Sequence, residues 1–236
     1  MERNDVTYTA EEIDALLKSG SLKRLGMGSR RACYVLPGGA RCLKCYRSEA
    51  EIEEGKVPGV VPTKPLAAGA IRDIRRYRFD ERHNTCCQEY RYWLSLKKRL
   101  PVDLMAVFPS TMELVFLPSR GWAVVEELVA NADGTPPKKF AEGWWVNEAS
   151  RTELLASFNS LTDALVRHAV RFYDPPNILS QRLSDGSYRL RIMDFEPTSH
   201  LLIQIDLLPA ILRCKIRRRF ARYLRNWAIT QQGGMA

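Results

Sequence analysis

Histidine is scarce here, with three in 236 residues, and the six cysteines form a single C-x-x-C, Cys42 and Cys45. A paired-thiolate zinc site therefore lacks its second half. The C-x-x-C falls in a strand-like run, where residues three apart point to opposite faces. Cys86 and Cys87 are adjacent, so the expectation is reduced thiols in a cytoplasmic chain. No apolar run is long enough for a transmembrane segment, and Met1 to Ala10 lacks a basic head followed by an apolar stretch. Internal repeats and low-complexity segments are also missing.

What remains is ordinary globular material, 45% hydrophobic and 27% charged, long enough to bury a core without disulfides or metal. The net charge of +9 is arginine-rich and attracts polyanions. Lys215, Arg217, Arg218, Arg219, Arg222 and Arg225 crowd the last helical segment, and Arg72 to Arg82 form another cluster. Yet no nucleic-acid motif accompanies them, and the apolar stripe of the last segment suits packing against a lobe. There is no strong sign of nucleic acid as a partner.

Periodicity predicts a helix over Thr9 to Ser19, then strands around Gly26-Met27-Gly28 and Cys33 to Leu36, with Arg41 to Tyr46 returning after a Pro37-Gly38-Gly39 turn. Residues 47–84, with prolines at 58, 62 and 65, read as an irregular inserted loop. A helix from Glu89 to Leu100 follows, then strands at Leu114 to Leu117 and Trp122 to Val129. Ser150 and Glu153 form a capping box opening a long helix with Leu154, Phe158, Leu161 and Leu165 on one face. A hairpin over Ile178 to Met193 turns at Asp185-Gly186, and a last helix after Pro209 carries Leu212, Ile216, Phe220, Leu224 and Trp227 in a stripe. Strands first and helices later indicate an α+β fold of two lobes, residues 1–129 and 130–236.

Several residues suggest phosphate chemistry. Gly26 and Gly28 would let backbone amides approach a phosphate. Lys44 and Cys42 share a strand face beneath that loop, a lysine beside a small residue. Glu89 opens the next substantial helix, where it either reaches back to Lys44 or simply favours a helix N-terminus. Asn177 and Asp194 stand at the open end of the late hairpin, and amide and carboxylate oxygens suit Mg²⁺.

The segments Gly26 to Tyr34, Arg41 to Lys44, Glu89 to Trp93, Ala132 to Pro136 and Pro176 to Leu179, with the Arg-rich final helix, resemble the protein-kinase-like superfamily, and more closely the bacterial YrbL family of PhoP regulatory network proteins. The resemblance runs from Ser21 onward, apart from 47–84. It implies a strand-rich N-terminal lobe, a helical C-terminal lobe, and ATP and Mg²⁺ as ligands. Gly26 and Gly28 would shape the phosphate loop, Lys44 would bind phosphates and pair with Glu89, and main chain from Glu127 to Val129 would meet adenine. Asn177 and Asp194 would hold magnesium. The acceptor would be an unidentified protein or small molecule. Three departures stand against that pattern: Arg31 at the third glycine position, Glu196 for the glycine after Asp194-Phe195, and Phe172 where kinases keep a catalytic aspartate. Asp174, two residues later, is the candidate shifted base. The alternative is a pseudokinase that binds without transferring phosphate.

Overall fold

The computed structural model describes residues 7–54, 67–142, 148–195 and 209–233, excepting the side chains of 148–149 and 228–233. The chain divides into two compact units: Met1–Trp93 with Ser110–Leu128, and Leu94–Pro109 with Val129–Ala236.

The first unit is built on a five-stranded antiparallel sheet ordered β1-β2-β3-β5-β4, from β1 (Lys23–Met27), β2 (Arg31–Val35), β3 (Arg41–Tyr46), β4 (Met112–Leu117) and β5 (Gly121–Glu127). Helix α1 (Ala10–Lys18) starts at a capping box in which Thr9 and Glu12 satisfy each other's amides. Its Ile13 and Leu17 pack with Ala32, Tyr34, Leu43, Cys45, Ala123 and Val125. Strand alternation then sends Arg31, Cys33, Cys42, Lys44, Val124 and Glu126 to the opposite face, as the pairings Cys33 with Lys44, Lys44 with Val124 and Cys42 with Glu126 require. Cys42 and Cys45 thus face opposite ways, as expected.

The stretch 47–84 is not simply irregular. It contains α2 (Glu49–Glu54) and α3 (Ala68–Tyr77), whose buried Ile52 and Ile74 pack against Tyr46. The prolines that suggested a loop lie in residues 55–66, outside the described residues. Helix α4 (Thr85–Arg99) also begins four residues before the expected Glu89. Asn84 caps it, its Oδ1 accepting from the amides of Cys86 at 2.8 Å and Cys87 at 3.3 Å. The chain leaves the first unit within α4, after Trp93.

In the second unit α5 (Val102–Met105) precedes a three-stranded antiparallel sheet of β6 (Lys138–Lys139), β7 (Ile178–Arg182) and β8 (Tyr188–Ile192). Helix α6 (Glu148–Arg167) starts two residues before Ser150, which therefore lies inside the first turn and not at its cap. The predicted apolar face holds, for Leu154, Phe158, Leu161 and Leu165 are all buried. In the stripe of α7 (Pro209–Gly233), Leu212, Ile216, Phe220 and Trp227 are buried and Leu224 is half-buried. Phe140 stacks on Phe158 at 4.5 Å between centroids, and Phe220 joins at 5.4 Å. The chain is thus mixed α+β, with an antiparallel strand-rich sheet in its N-terminal part and helices in its C-terminal part. Among the described residues no helix is long and apolar enough to cross a membrane.

Candidate functional site: a buried ion quartet and a strained aspartate

In the first unit the glycine segment is a tight β1–β2 turn. The Gly28 amide donates to the Arg31 carbonyl at 2.8 Å, and the buried guanidinium of Arg47 donates to the Gly28 carbonyl. Arg30, within the turn, pairs with Asp73 of α3 at 2.8 Å. Neither Gly26 nor Gly28 has a positive φ. A Cβ at Gly26 would meet nothing within 4 Å, and one at Gly28 only the Arg31 carbonyl at 3.7 Å. Packing and backbone conformation therefore do not demand glycine at either place. Gly121 is the contrast: its φ is +75°, and a Cβ there would lie 2.1 Å from the Arg78 carbonyl oxygen.

Beside the turn, on the face away from α1, four charged side chains are gathered out of water. The Lys44 ammonium lies 2.7 Å from Glu126 and 3.5 Å from Glu89. Arg31 donates to the other oxygen of Glu89. The side chains are 12% exposed at Arg31, 5% at Lys44 and Glu126, and 0% at Glu89. Two cations thus balance two carboxylates, which is what keeps so much buried charge tolerable.

The placement follows from local structure. The Cys86 thiol donates to the Lys44 carbonyl at 3.5 Å and the Thr85 amide donates to the Tyr46 hydroxyl at 3.2 Å, so the start of α4 is docked on β3. Glu89 follows Cys86 by three residues, close to one helical turn, and so meets the same strand. It lies beyond the first turn, where a helix-end charge would sit, so its partners and not the helix dipole explain it.

The structure adds two residues to the expected pair. Arg31, the departure at the third glycine position, is a second partner of Glu89, and Glu126 is the nearer partner of Lys44. Glu126 stands next to the end of β5, where nothing in the local sequence signals burial. Its burial follows from its neighbours in the sheet, Cys42 on β3 and Met112 on β4.

Cys42 shares this face and sits 3.9 Å from Glu126. A hydrogen bond with the Cys33 thiol, and then burial, pushes the Cys42 thiol well above its ordinary range, so it stays protonated. Burial likewise pushes Cys87 up to about 12. Among the described residues no group of three or more His, Cys, Asp or Glu side chains is placed to hold a metal. Further along β5, the Glu127 amide donates to Thr111 at 3.2 Å and the Leu128 amide to Ala40 at 2.9 Å. Among the described residues no backbone carbonyl accepts from the Val129 amide.

In the second unit Asn177 closes a 3-10 turn, Pro175–Asn177. Its amide donates to the Asp174 carbonyl at 2.8 Å, and its side-chain nitrogen to the Asp174 carboxylate at 3.2 Å. Its own carbonyl accepts from the Met193 amide at 3.0 Å, which brings the residue before Asp194 beside Asn177 at the open end of the β7–β8 hairpin. Asp194 has a φ of +48°, in the left-handed region that side chains enter at a cost. It is held there from both sides: the Ile192 amide donates to Val107 at 2.7 Å, and the Phe195 ring packs edge-on against Phe108 at 5.2 Å. Phe172 is 2% exposed and packs edge-on against Phe220, so the position of the missing aspartate belongs to the hydrophobic core. Glu196 lies outside the described residues.

The donor chemistry suits the expected ligands. A buried lysine held by carboxylates, next to a turn whose Gly26 has open space over it, fits a phosphate-bearing ligand. One amide and one carboxylate fit Mg²⁺, which takes few protein oxygens and completes its shell with water and phosphate. Comparison with known protein families finds no match, and comparison with curated proteins finds none either.

Proposed function

We propose that this chain is a kinase-like nucleotide-binding protein of the YrbL type, taking ATP with Mg²⁺. The observation that carries this reading is the buried pairing of Lys44 with Glu89 beside a glycine turn whose glycines no internal contact explains. In it, Lys44 holds phosphate oxygens, Glu89 and Glu126 fix its ammonium, and Cys42 lies on the face that receives adenine. The Glu127 carbonyl and the Val129 amide offer main-chain groups to the base. Asn177 and Asp194 hold Mg²⁺ through amide and carboxylate oxygen. The left-handed backbone at Asp194 supports that assignment, because strain kept at a polar residue points to use.

Binding without efficient transfer is the favoured form of this reading, because Phe172 is committed to the core. Transfer to a protein or small-molecule acceptor would fall to Asp174, whose exposed carboxylate is engaged by the Asn177 amide nitrogen.

A thermal-shift titration with ATP, with and without Mg²⁺, tests the proposal. At a hundred times its Kd, ATP should stabilise the wild type by about 2.7 kcal/mol. Lys44→Ala should lose the shift, measured from the variant's own melting temperature. Asp194→Asn should lose its Mg²⁺-dependent part. An unmoved wild-type melting temperature, or a full shift in Lys44→Ala, overturns the reading.

A further inference from the structure

The charge of this chain is concentrated in one element. Helix α7 carries seven basic residues and no acidic one, against a net charge of +9 for the whole chain. The structure sorts these seven into two groups. Arg213 donates to the carbonyls of Val166 and Arg167 at the end of α6, Arg219 donates to the Tyr173 carbonyl at 3.2 Å, and Lys215 lies 4.4 Å from the centroid of the Tyr173 ring. Those three fasten the helix to its own unit. Arg217, Arg218, Arg222 and Arg225 are exposed, and among the described residues no carboxylate pairs with any of them.

We infer that this face of α7 is a binding surface for the phosphate backbone of a nucleic acid. From Arg217 to Arg225 the helix rises about 12 Å. Along one strand of a DNA duplex, with one charge per about 3.4 Å of axis, three or four phosphates stand against that length, which four guanidinium forks match. Between the arginines the residues are small. Ala210, Cys214 and Ala221, with Arg213, Arg217 and Arg218, line an open trough of about 600 Å³.

Other polyanions fit less well. A lipid surface needs an apolar helix face to insert, but Leu212, Ile216, Phe220 and Trp227 of α7 are buried in the unit, Leu224 is half-buried, and Ile211 is a single exposed apolar residue in the first turn. The hot spots of a protein contact are Trp, Tyr or Arg side chains packed into desolvated pockets near its centre, whereas the arginines here stand exposed. This face offers only alanine and cysteine there, with exposed Ile211 confined to the first turn. The inference is independent of the nucleotide proposal, because it uses neither the ion quartet nor Asn177 and Asp194.

The test is fluorescence anisotropy of a labelled, mixed-sequence DNA duplex of about 20 base pairs with the full chain. Four phosphate contacts on a duplex predict a fall in affinity of roughly 150-fold between about 50 and 200 mM salt. The combined Arg217→Gln, Arg218→Gln, Arg222→Gln and Arg225→Gln variant should lose the binding and its salt dependence at an unchanged melting temperature. The matching set of Arg→Lys changes should keep both. Neutralising exposed Arg72, Arg76 and Arg82 should leave binding as it was. The inference is overturned by no anisotropy change at low salt, by binding that survives the glutamine set, or by equal loss in the Arg72, Arg76 and Arg82 variant. It is also overturned if polyglutamate or phosphatidylserine vesicles displace the probe as well as unlabelled oligonucleotide does.

Discussion

Glu51 shows how a single carboxylate is held in the first unit. It accepts from the Ser48 amide at 2.7 Å and from Arg120 at 2.5 Å, and the Tyr34 hydroxyl donates to it as well. Burial pushes its carboxyl up, but the Tyr34, Ser48 and Arg120 contacts together outweigh burial and hold it below the usual range. Burial and the Glu51 partner push the Tyr34 hydroxyl the other way, upward. Because the folded carboxyl is depressed, its contribution is complete above the unfolded value of about 4.3 and fades as pH falls through the folded value. Glu51→Gln should therefore cost about 3 kcal/mol at neutral pH, as a broken buried ion pair does. Urea denaturation should show that gap narrowing below about pH 4. A gap that stays constant down to acid would mean that Glu51 acts through shape alone.

Between elements, the clearest constraint is the junction of α3 with the β4–β5 hairpin. The Arg78 carbonyl accepts from the Trp122 amide at 3.0 Å and from the Asn84 side chain at 2.9 Å, while Gly121 passes directly over it. Gly121→Ala should cost more than about 2 kcal/mol, since an added Cβ must displace backbone at a left-handed position. Equilibrium denaturation against Gly134→Ala, an open left-handed turn where a Cβ meets nothing within 4 Å, separates the clash from the φ cost. The same junction shows which parts of the fold were legible in advance. The stripe of α7 and the turn at Asp185-Gly186 are local patterns and were readable. The start of α4 was not, because Asn84 is fixed in part by the carbonyl of Trp122, 38 residues away on β5. Lys44, Glu89, Asn177 and Asp194 were identifiable by residue type and order. Glu126 and Arg31 were not, since strand pairing and a docked helix decide which charges end up side by side.

For the molecule as a whole, charge is distributed unevenly. Outside α7 the acidic and basic residues nearly balance, so a net charge of +9 describes one helix more than it describes a surface. Gradient elution from a sulfonate resin should reflect this. The four-arginine glutamine variant is expected to elute at markedly lower salt, and a variant with Arg24, Arg72, Arg76 and Arg82 changed to glutamine at nearly wild-type salt. Equal displacement of the two would show that retention follows total charge. Helix α7 also means that a preparation is defined partly by its history. Strands carried over from a cell extract would mask this helix before any other part of the protein, so material washed at high salt and material that was not are chemically different samples.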